Sequence, residues 1–301
     1  MVEVLTRAGS FVAIILLGVI LKKVGVFRKE DFRVLSNIVL KITLPAAIVT
    51  SFAQMQIVPS MLSILLLGFV GGVLYIFVAF LTNLRSTKQK RAFEVLQLPG
   101  YNIGCFSMPF VQSFLGPIGV VVTGIFDAGN AIVVLGGAYG VAETVKAGRG
   151  LSVKRLLCAL SRSVPFMCYV IMIFLNITHI RLPDFVLSFA QLAGSANAFA
   201  AMLMIGIGFE IRTDSKQMGT IAKIVALRYS IATGLALVFY FLLPFSAEIR
   251  RTLVLLAFSP IGAAVPAFTE ALGEDVGLSS TINSVCIVIS LAINVVLLSV
   301  M

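Results

Sequence analysis

Long apolar runs recur along the whole chain, with only short polar segments between them. A helix needs roughly 20 apolar residues to span a hydrocarbon layer of about 30 Å. Ten runs of that kind lie near residues 5–24, 34–54, 60–82, 93–114, 118–142, 156–178, 184–208, 219–243, 251–271 and 278–300. Charged residues make up only 12% of the chain, against roughly 25% in soluble domains. The sequence therefore predicts an all-α integral membrane protein of ten transmembrane helices, with no soluble domain between them.

The basic residues are concentrated on alternate connections between the apolar runs. The connections after the first, third, fifth and seventh runs carry most of them: Lys22, Lys23, Arg28, Lys29, Arg33, Arg85, Lys88, Lys90, Arg91, Lys146, Arg149, Lys154, Arg155, Arg212, Lys216 and Lys223. Positively charged loops stay in the cytoplasm, so this pattern places both termini outside the cell. The first run is followed by Lys22-Lys23 in place of a cleavage site, which favours a retained span. We expect a multi-pass protein of the cell membrane, and not a nucleic-acid-binding protein, despite the net charge of +10.

The ten runs divide into two sets of five at the basic loop near Gly148-Arg149-Gly150. The halves are residues 1–148 and 149–301. Because each half contains an odd number of spans, the second half enters the membrane from the opposite side. Pro109 and Pro266 occupy the fourth run of their halves, each followed by a Leu-Gly pair. We therefore predict a five-plus-five inverted repeat with broken crossover helices 4 and 9.

Glycine and proline interrupt both of these broken helices. A proline removes a helix hydrogen bond, and the half-helix after a break presents N-terminal amides that favour an anion. A matched pair of breaks in the two halves is typical of a transporter's binding site near the bilayer midplane. The candidate substrate-binding residues are Asn102, Gly104, Pro109, Pro260, Gly262 and Pro266. The alternative is that the prolines produce ordinary kinks.

Asp127 and Asn130 lie three residues apart, on one face of the fifth predicted helix. An acid at that depth is costly and by default marks an ion or proton pathway. We therefore assign both residues to coupling. The alternative is a helix-packing hydrogen bond from Asp127 to Asn37, Asn197 or Arg228. Two further cations within spans, Lys41 and Arg228, either attract an anion or extend to the membrane surface.

The motifs of several enzyme classes are missing from the sequence. It contains no P-loop, HExxH or GxSxG pattern, and His179 is the only histidine. Its four cysteines show no CxxC spacing, which argues against a zinc site and a disulfide framework. We therefore predict no enzyme activity, no metal site and no cofactor.

Four segments form a recognisable pattern: residues 25–39, Ile42-Thr43-Leu44-Pro45-Ala46, Asn102 followed by Pro109, and Pro260-x-Gly262 followed by Pro266. Together they resemble the auxin efflux carrier family, whose bacterial members are relatives of the plant PIN proteins. Ser107 stands where that family usually has glycine, and one extra residue separates Pro260 from Pro266. The resemblance implies a ten-span fold with a crossover at the prolines. It also implies a scaffold of helices 1, 2, 6 and 7, a transport part of helices 3–5 and 8–10, and frequent dimers.

The residues and the resemblance together predict a secondary active transporter of small organic carboxylate anions. We expect an efflux carrier that works by alternating access, is linked to protons, lies in a lipid bilayer and forms a homodimer. One alternative is a sodium-coupled organic-anion symporter of the bile-acid-transporter type. A second alternative is a membrane sensor or channel that does not accumulate a substrate.

Overall fold

All the regular structure that the computed structural model describes, in residues 2–148, 152–211 and 217–300, is helical. The helices are α1 (Val2–Lys23), α2 (Asp31–Ala53), α3 (Pro59–Leu81), α4 (Lys88–Gln97), α5 (Ile103–Phe114), α6 (Gly116–Ala147), α7 (Val153–Arg162), α8 (Val164–Ile177), α9 (Asp184–Gly208), α10 (Met218–Phe241), α11 (Ala247–Ala257), α12 (Val265–Ala271) and α13 (Val276–Val300). Four residues of the predicted basic loops, Arg149, Gly150, Arg212 and Lys216, lie outside these ranges.

The predicted number of ten membrane-spanning helices is not confirmed. Six helices in the described residues, α2, α3, α6, α9, α10 and α13, are long and apolar enough to cross a membrane, and the pair α7 and α8 could be a seventh. The fourth and ninth predicted runs fall on α4 with α5 and on α11 with α12. A non-helical break divides each of these two runs into two shorter helices. None of these shorter helices is long enough to span a membrane by itself.

The sixth predicted run is not one straight helix either. Helices α7 and α8 meet at an angle of 79°. Ser163, between them, has an extended backbone, and its hydroxyl accepts a hydrogen bond of 3.4 Å from the N–H of Phe166. Pro165 occupies the first turn of α8, where a proline needs no helix partner. The Ser-x-Pro sequence therefore ends one helix and begins the next. The sequence prediction treats the sixth run as one helix because the run is mostly apolar.

Glycines allow a close helix contact between α3 and α6. A Cβ atom on Gly68 would lie 2.1 Å from the carbonyl oxygen of Phe126, and one on Gly129 would lie 1.9 Å from that of Leu65. Small residues allow such close backbone approach, which is a common way for membrane helices to associate. The opposite face of α3 is apolar and exposed, with Val70 at 58% exposure, as expected for a lipid-facing helix. This contact holds α6, and with it Asp127 and Asn130, in a fixed position.

Candidate functional site

The two non-helical breaks contact each other inside the protein. The first break is residues 98–102, between α4 and α5, and the second is residues 258–264, between α11 and α12. The backbone N–H of Asn102 donates a hydrogen bond of 2.9 Å to the carbonyl oxygen of Pro260. The buried hydroxyl groups of Ser107 and Ser259 hydrogen-bond to each other. The sequence-predicted pair of interruptions therefore forms one joint structure.

Arg228 on α10 ties the two breaks together. Its Nη1 donates to the carbonyl oxygen of Leu98 at 2.6 Å, and its Nη2 donates to those of Gly100 at 2.8 Å and Ser259 at 2.7 Å. Leu98 and Gly100 follow the C-terminal end of α4, and Ser259 follows that of α11, where a cation is favourable. The side chain is 1% exposed and lies 5.2 Å above the ring of Tyr75. Arg228 therefore does not extend to the surface, one of the two roles considered from the sequence, and its guanidinium binds backbone carbonyl groups.

The first break lies before Pro109 and not at it, which corrects the sequence interpretation. Pro109 sits within α5, just after a π-turn at Ile103–Ser107. In this turn the N–H of Ser107 bonds to the carbonyl of Asn102, five residues back, and Met108 bonds likewise to Ile103. The wider turn accommodates the proline without ending the helix. The free N-terminal amides therefore begin at Ile103, whereas Pro266 does lie in the first turn of its half-helix, α12.

A cavity of 360 Å³, the central cavity, lies against both breaks. Of the predicted site residues it is lined by Asn102, Gly104, Asp127, Asn130 and Gly262. The other three predicted residues do not line it: Pro109 and Pro260 are part of the framework, and Pro266 faces a second cavity.

Asn130 and Asp127 connect the first break to the wall of the central cavity. The side-chain amide of Asn130 makes two hydrogen bonds of 3.0 Å to the backbone of Tyr101. Asn130 Oδ1 accepts from the Tyr101 N–H, and Asn130 Nδ2 donates to the Tyr101 carbonyl oxygen. The same Nδ2 donates to Asp127 Oδ1 at 2.8 Å. Asp127 Oδ2 accepts a 3.1 Å hydrogen bond from the hydroxyl of Tyr169 on α8.

These contacts correct the packing alternative for Asp127. Its described partners are Asn130 and Tyr169, and the three partners considered from the sequence are engaged elsewhere or exposed. Asn197 pairs with Thr43 and Gln112, for example. The carboxyl group therefore links α6 to α8 in the wall of the central cavity.

Three π-turns line the central cavity, and the sequence interpretation missed all of them. They are Val39–Thr43 in α2, Ile103–Ser107 in α5 and Val133–Gly137 in α6. Turns of this type are frequently found at functional sites. The first two are followed, two residues after their last residue, by Pro45 and Pro109. That spacing is a sequence signal that could have located them.

The side chain of Asn102 lies between the central cavity and a second cavity. The second cavity, of 270 Å³, is also lined by Pro266, Lys22, Glu210 and Asn283. Asn102 and Ala263 line both cavities. The amide of Asn102 makes no side-chain hydrogen bond to another described residue and is 5% exposed. It is therefore placed to bind a ligand from either cavity.

The charges around the central cavity have mixed signs. Asp127 provides one carboxyl group, and Lys41 and Arg162 provide two exposed cations. The N-terminus of α5 adds the partial positive charge of its free amides, near Ile103 and Gly104. No group of three or more His, Cys, Asp or Glu residues suited to a metal ion occurs within the described ranges. The cavity can therefore hold a small anion, provided that Asp127 does not repel it.

Comparison with known proteins identifies a domain in the first half of the chain. Residues 10–157 match the family described as Membrane transport protein. The match includes Asn102, Asp127 and Asn130, and it ends before Arg228 and the second break. No curated protein matches the chain.

Proposed function

We propose, from the auxin efflux carrier family domain that residues 10–157 carry, that this chain is a secondary transporter of small organic carboxylate anions. The proposal includes an inverted repeat of ten spans in the cell membrane, with both termini outside. Helices α1, α2, α7 with α8, and α9 form the scaffold, and the other helices carry the two breaks. The observation that supports it most is the joined pair of buried breaks beside a cavity that contains Asn102 and cations.

The substrate carboxylate binds in the central cavity beside the start of α5. Its oxygens accept hydrogen bonds from the side-chain amide of Asn102 and from free backbone N–H groups near Gly104. Arg162 and Lys41, which also line the central cavity, balance its charge. The missing side chains of Gly104 and Gly262 leave room, since a Cβ on Gly104 would lie 2.8 Å from Leu44 Cδ2. Pro260 acts through its carbonyl oxygen, which holds the backbone of Asn102 in place.

Asp127 supplies the link to protons. A carboxylate substrate and an ionised Asp127 repel each other within one cavity, and the repulsion is strong where water is scarce. Protonation of Asp127 removes that repulsion, so substrate and proton are loaded together and released together. Asn130 and Tyr169 orient the carboxyl group and connect its state to the first break and to α8.

The position of Asn102 between two cavities supports alternating access. Movement of the joined breaks relative to α2, α8 and α9 would close one cavity around the Asn102 amide and open another path to it. The joint connection through Pro260 and Arg228 lets both breaks move as one body.

The test is uptake of labelled acetate, malonate and benzoate by proteoliposomes that contain the purified protein. We expect at least one of them to be accumulated above the passive uptake of protein-free liposomes when an inward proton gradient is imposed, and not when only a sodium gradient is imposed. Asn102→Ala should lower the apparent affinity about tenfold or more, as expected for one lost hydrogen bond to a charged group. Asn37→Ala, at an exposed asparagine of α2, is the matched control and should transport normally.

Two results would overturn the proposal. One is that no carboxylate is moved by protein whose folding has been verified. The other is that Asn102→Ala transports every substrate as well as the Asn37→Ala control does. Dependence on sodium alone would replace the proton-linked mechanism by the sodium-coupled alternative.

A further inference from the structure

A third cavity, the lateral cavity, lies between the lipid-facing side of α3 and helices α6 and α7. Its volume is 640 Å³, and its lining includes the apolar side chains Phe69, Val73, Ile76, Tyr139 and Phe268. Val73 is 41% exposed on α3, next to the exposed Val70 and Phe77. The lateral cavity therefore borders the region that lipid chains occupy, and its lining suits a hydrocarbon chain.

The lateral cavity shares part of its wall with the central cavity. Leu135, Ala159 and Arg162 line both of them. Leu135 belongs to the π-turn of α6, and Arg162 is the last residue of α7, directly before the 79° bend. A ligand that occupies both cavities therefore lies along this shared wall, where Arg162 is the charged residue.

Arg162 is the uncompensated charge on this shared wall. The other arginine of the lateral cavity, Arg155, forms an ion pair of 2.7 Å with Glu143. Arg162 is exposed and forms no ion pair with a described residue. An apolar groove with one free guanidinium at its inner end is complementary to a molecule with a hydrocarbon tail and one carboxylate.

We propose that the lateral cavity admits single-chain amphipathic carboxylates from the membrane to the central cavity. The hydrocarbon tail lies along Phe69 and Phe268, and the carboxylate binds Arg162 first and then moves toward Asn102. This inference rests on the proposed function for its last step, transport. The binding step is independent of that function and is tested separately.

Cys158 provides a direct measure of occupancy because it lines the lateral cavity and is exposed. The protein is reconstituted in lipid nanodiscs and treated with N-ethylmaleimide, and alkylation is followed by peptide mass spectrometry. Cys168, which is partly buried and lines neither cavity, is the internal control. At saturation, octanoate should slow the alkylation of Cys158 about tenfold and leave that of Cys168 unchanged. Acetate lacks the hydrocarbon chain and octanol lacks the carboxylate, so each should protect Cys158 much less.

Two pairs of variants locate the binding. Val73→Phe fills the lateral cavity from its lipid side, and Val70→Phe adds the same ring one turn away on the same face of α3, outside the cavity. Octanoate should lose its protection of Cys158 in Val73→Phe and keep it in Val70→Phe. Arg162→Gln should weaken octanoate protection about tenfold, and Arg162→Lys should retain most of it, because both the charge and a donor remain.

The outcomes separate the lateral route from the proposed function. Protection of Cys158 by octanoate that survives Val73→Phe, or equal protection by octanol, overturns the lateral site. Octanoate protection without transport of any carboxylate supports the site and overturns the transport function. If Val73→Phe transports acetate at the normal rate but no longer transports octanoate, both the lateral route and the transport function are supported. If that variant transports the two acids equally, the lateral route is overturned.

Discussion

The N–H of Asn102 donates a hydrogen bond to the carbonyl oxygen of Pro260, which joins the two interrupted helices through their backbones. Because both partners are backbone atoms, the contact does not depend on the Asn102 side chain, and only proline at this position would remove the donor. It leaves that side chain free to point between the central and second cavities. In Asn102, the backbone N–H therefore joins the two breaks, and the side-chain amide is the group proposed to bind the substrate.

Replacing Arg228 is expected to destabilise the protein strongly. Arg228→Met leaves the carbonyl groups of Leu98, Gly100 and Ser259 buried without their donor. Each lost hydrogen bond to a charged group is worth about 1.5–3 kcal/mol, so we expect a loss of several kcal/mol. Arg228→Lys should recover only part of it, because an ammonium group lacks the planar fork that reaches all three oxygens.

The measurement is the apparent melting temperature of the purified protein in detergent, with Arg85→Lys as the control. Arg85 is exposed, so its exchange should leave the melting temperature unchanged. Equal melting temperatures for Arg228→Lys and the native protein would contradict the bridging role.

Ser107 and Ser259 should be energetically coupled. Each hydroxyl group is buried and uses the other as its partner across the two breaks. Removing either one leaves the other unpaired, so Ser107→Ala and Ser259→Ala should each cost about 1–2 kcal/mol, and the double variant should cost little more than either alone. Additive effects in a double-mutant cycle of unfolding free energies would show that the two hydroxyls do not interact.

Much of the site could be predicted from the sequence because it depends on local properties of single residues. Proline and glycine restrict the backbone wherever they occur, so interruptions near Asn102 and Pro260 follow from the sequence alone. Asp127 is conspicuous because an acid within an apolar span carries a cost that depends on its depth and not on its partners.

The rest of the site depends on contacts between distant segments, which one sequence does not show. The role of Arg228 is an example, because its partners Leu98 and Ser259 lie far away in the chain and contribute only backbone oxygens. The position of the first break was wrong for a related reason. Whether Pro109 ends a helix or follows a π-turn depends on how Ser107 and Met108 find partners five residues back.

Gly129 should tolerate no side chain. A Cβ at this position would lie 1.9 Å from the carbonyl oxygen of Leu65, so Gly129→Ala must separate α3 from α6. We expect a loss of about 1–3 kcal/mol or more, as for overpacked cores. Gly234→Ala is the control. A Cβ on Gly234, within α10, would meet no atom within 4 Å apart from its own helix backbone, so this change should stabilise the helix by roughly 0.5–1 kcal/mol. Melting temperatures that change in opposite directions would confirm the contact.

Asn294 should be replaceable with a gain in stability. Its side chain is 1% exposed, and neither polar atom of its amide has a hydrogen-bond partner in the described residues. Asn294→Leu removes an unpaired buried amide at similar size, so we expect about 1–3 kcal/mol of added stability. Asn176→Leu is the opposite case, because that amide bonds to Ile57 and Phe52. A melting temperature lowered equally by both substitutions would mean that Asn294 has a partner, such as a bound water molecule.

Asp127 and Tyr169 should differ in what their replacement does to transport. Asp127→Asn keeps one oxygen that accepts from Asn130 and places an amide N–H opposite the Tyr169 hydroxyl oxygen, which can accept it. Because this amide cannot gain or lose a proton, proton-driven accumulation should disappear while exchange of internal for external substrate continues. Tyr169→Phe removes one hydrogen bond to the carboxyl group of Asp127, and such a bond is worth about 1.5–3 kcal/mol. It leaves Asp127 able to titrate. Accumulation should therefore persist in Tyr169→Phe with an altered pH profile. Counterflow and proton-driven uptake in the same proteoliposomes separate the two variants, and proton-driven accumulation by Asp127→Asn would assign coupling to another residue.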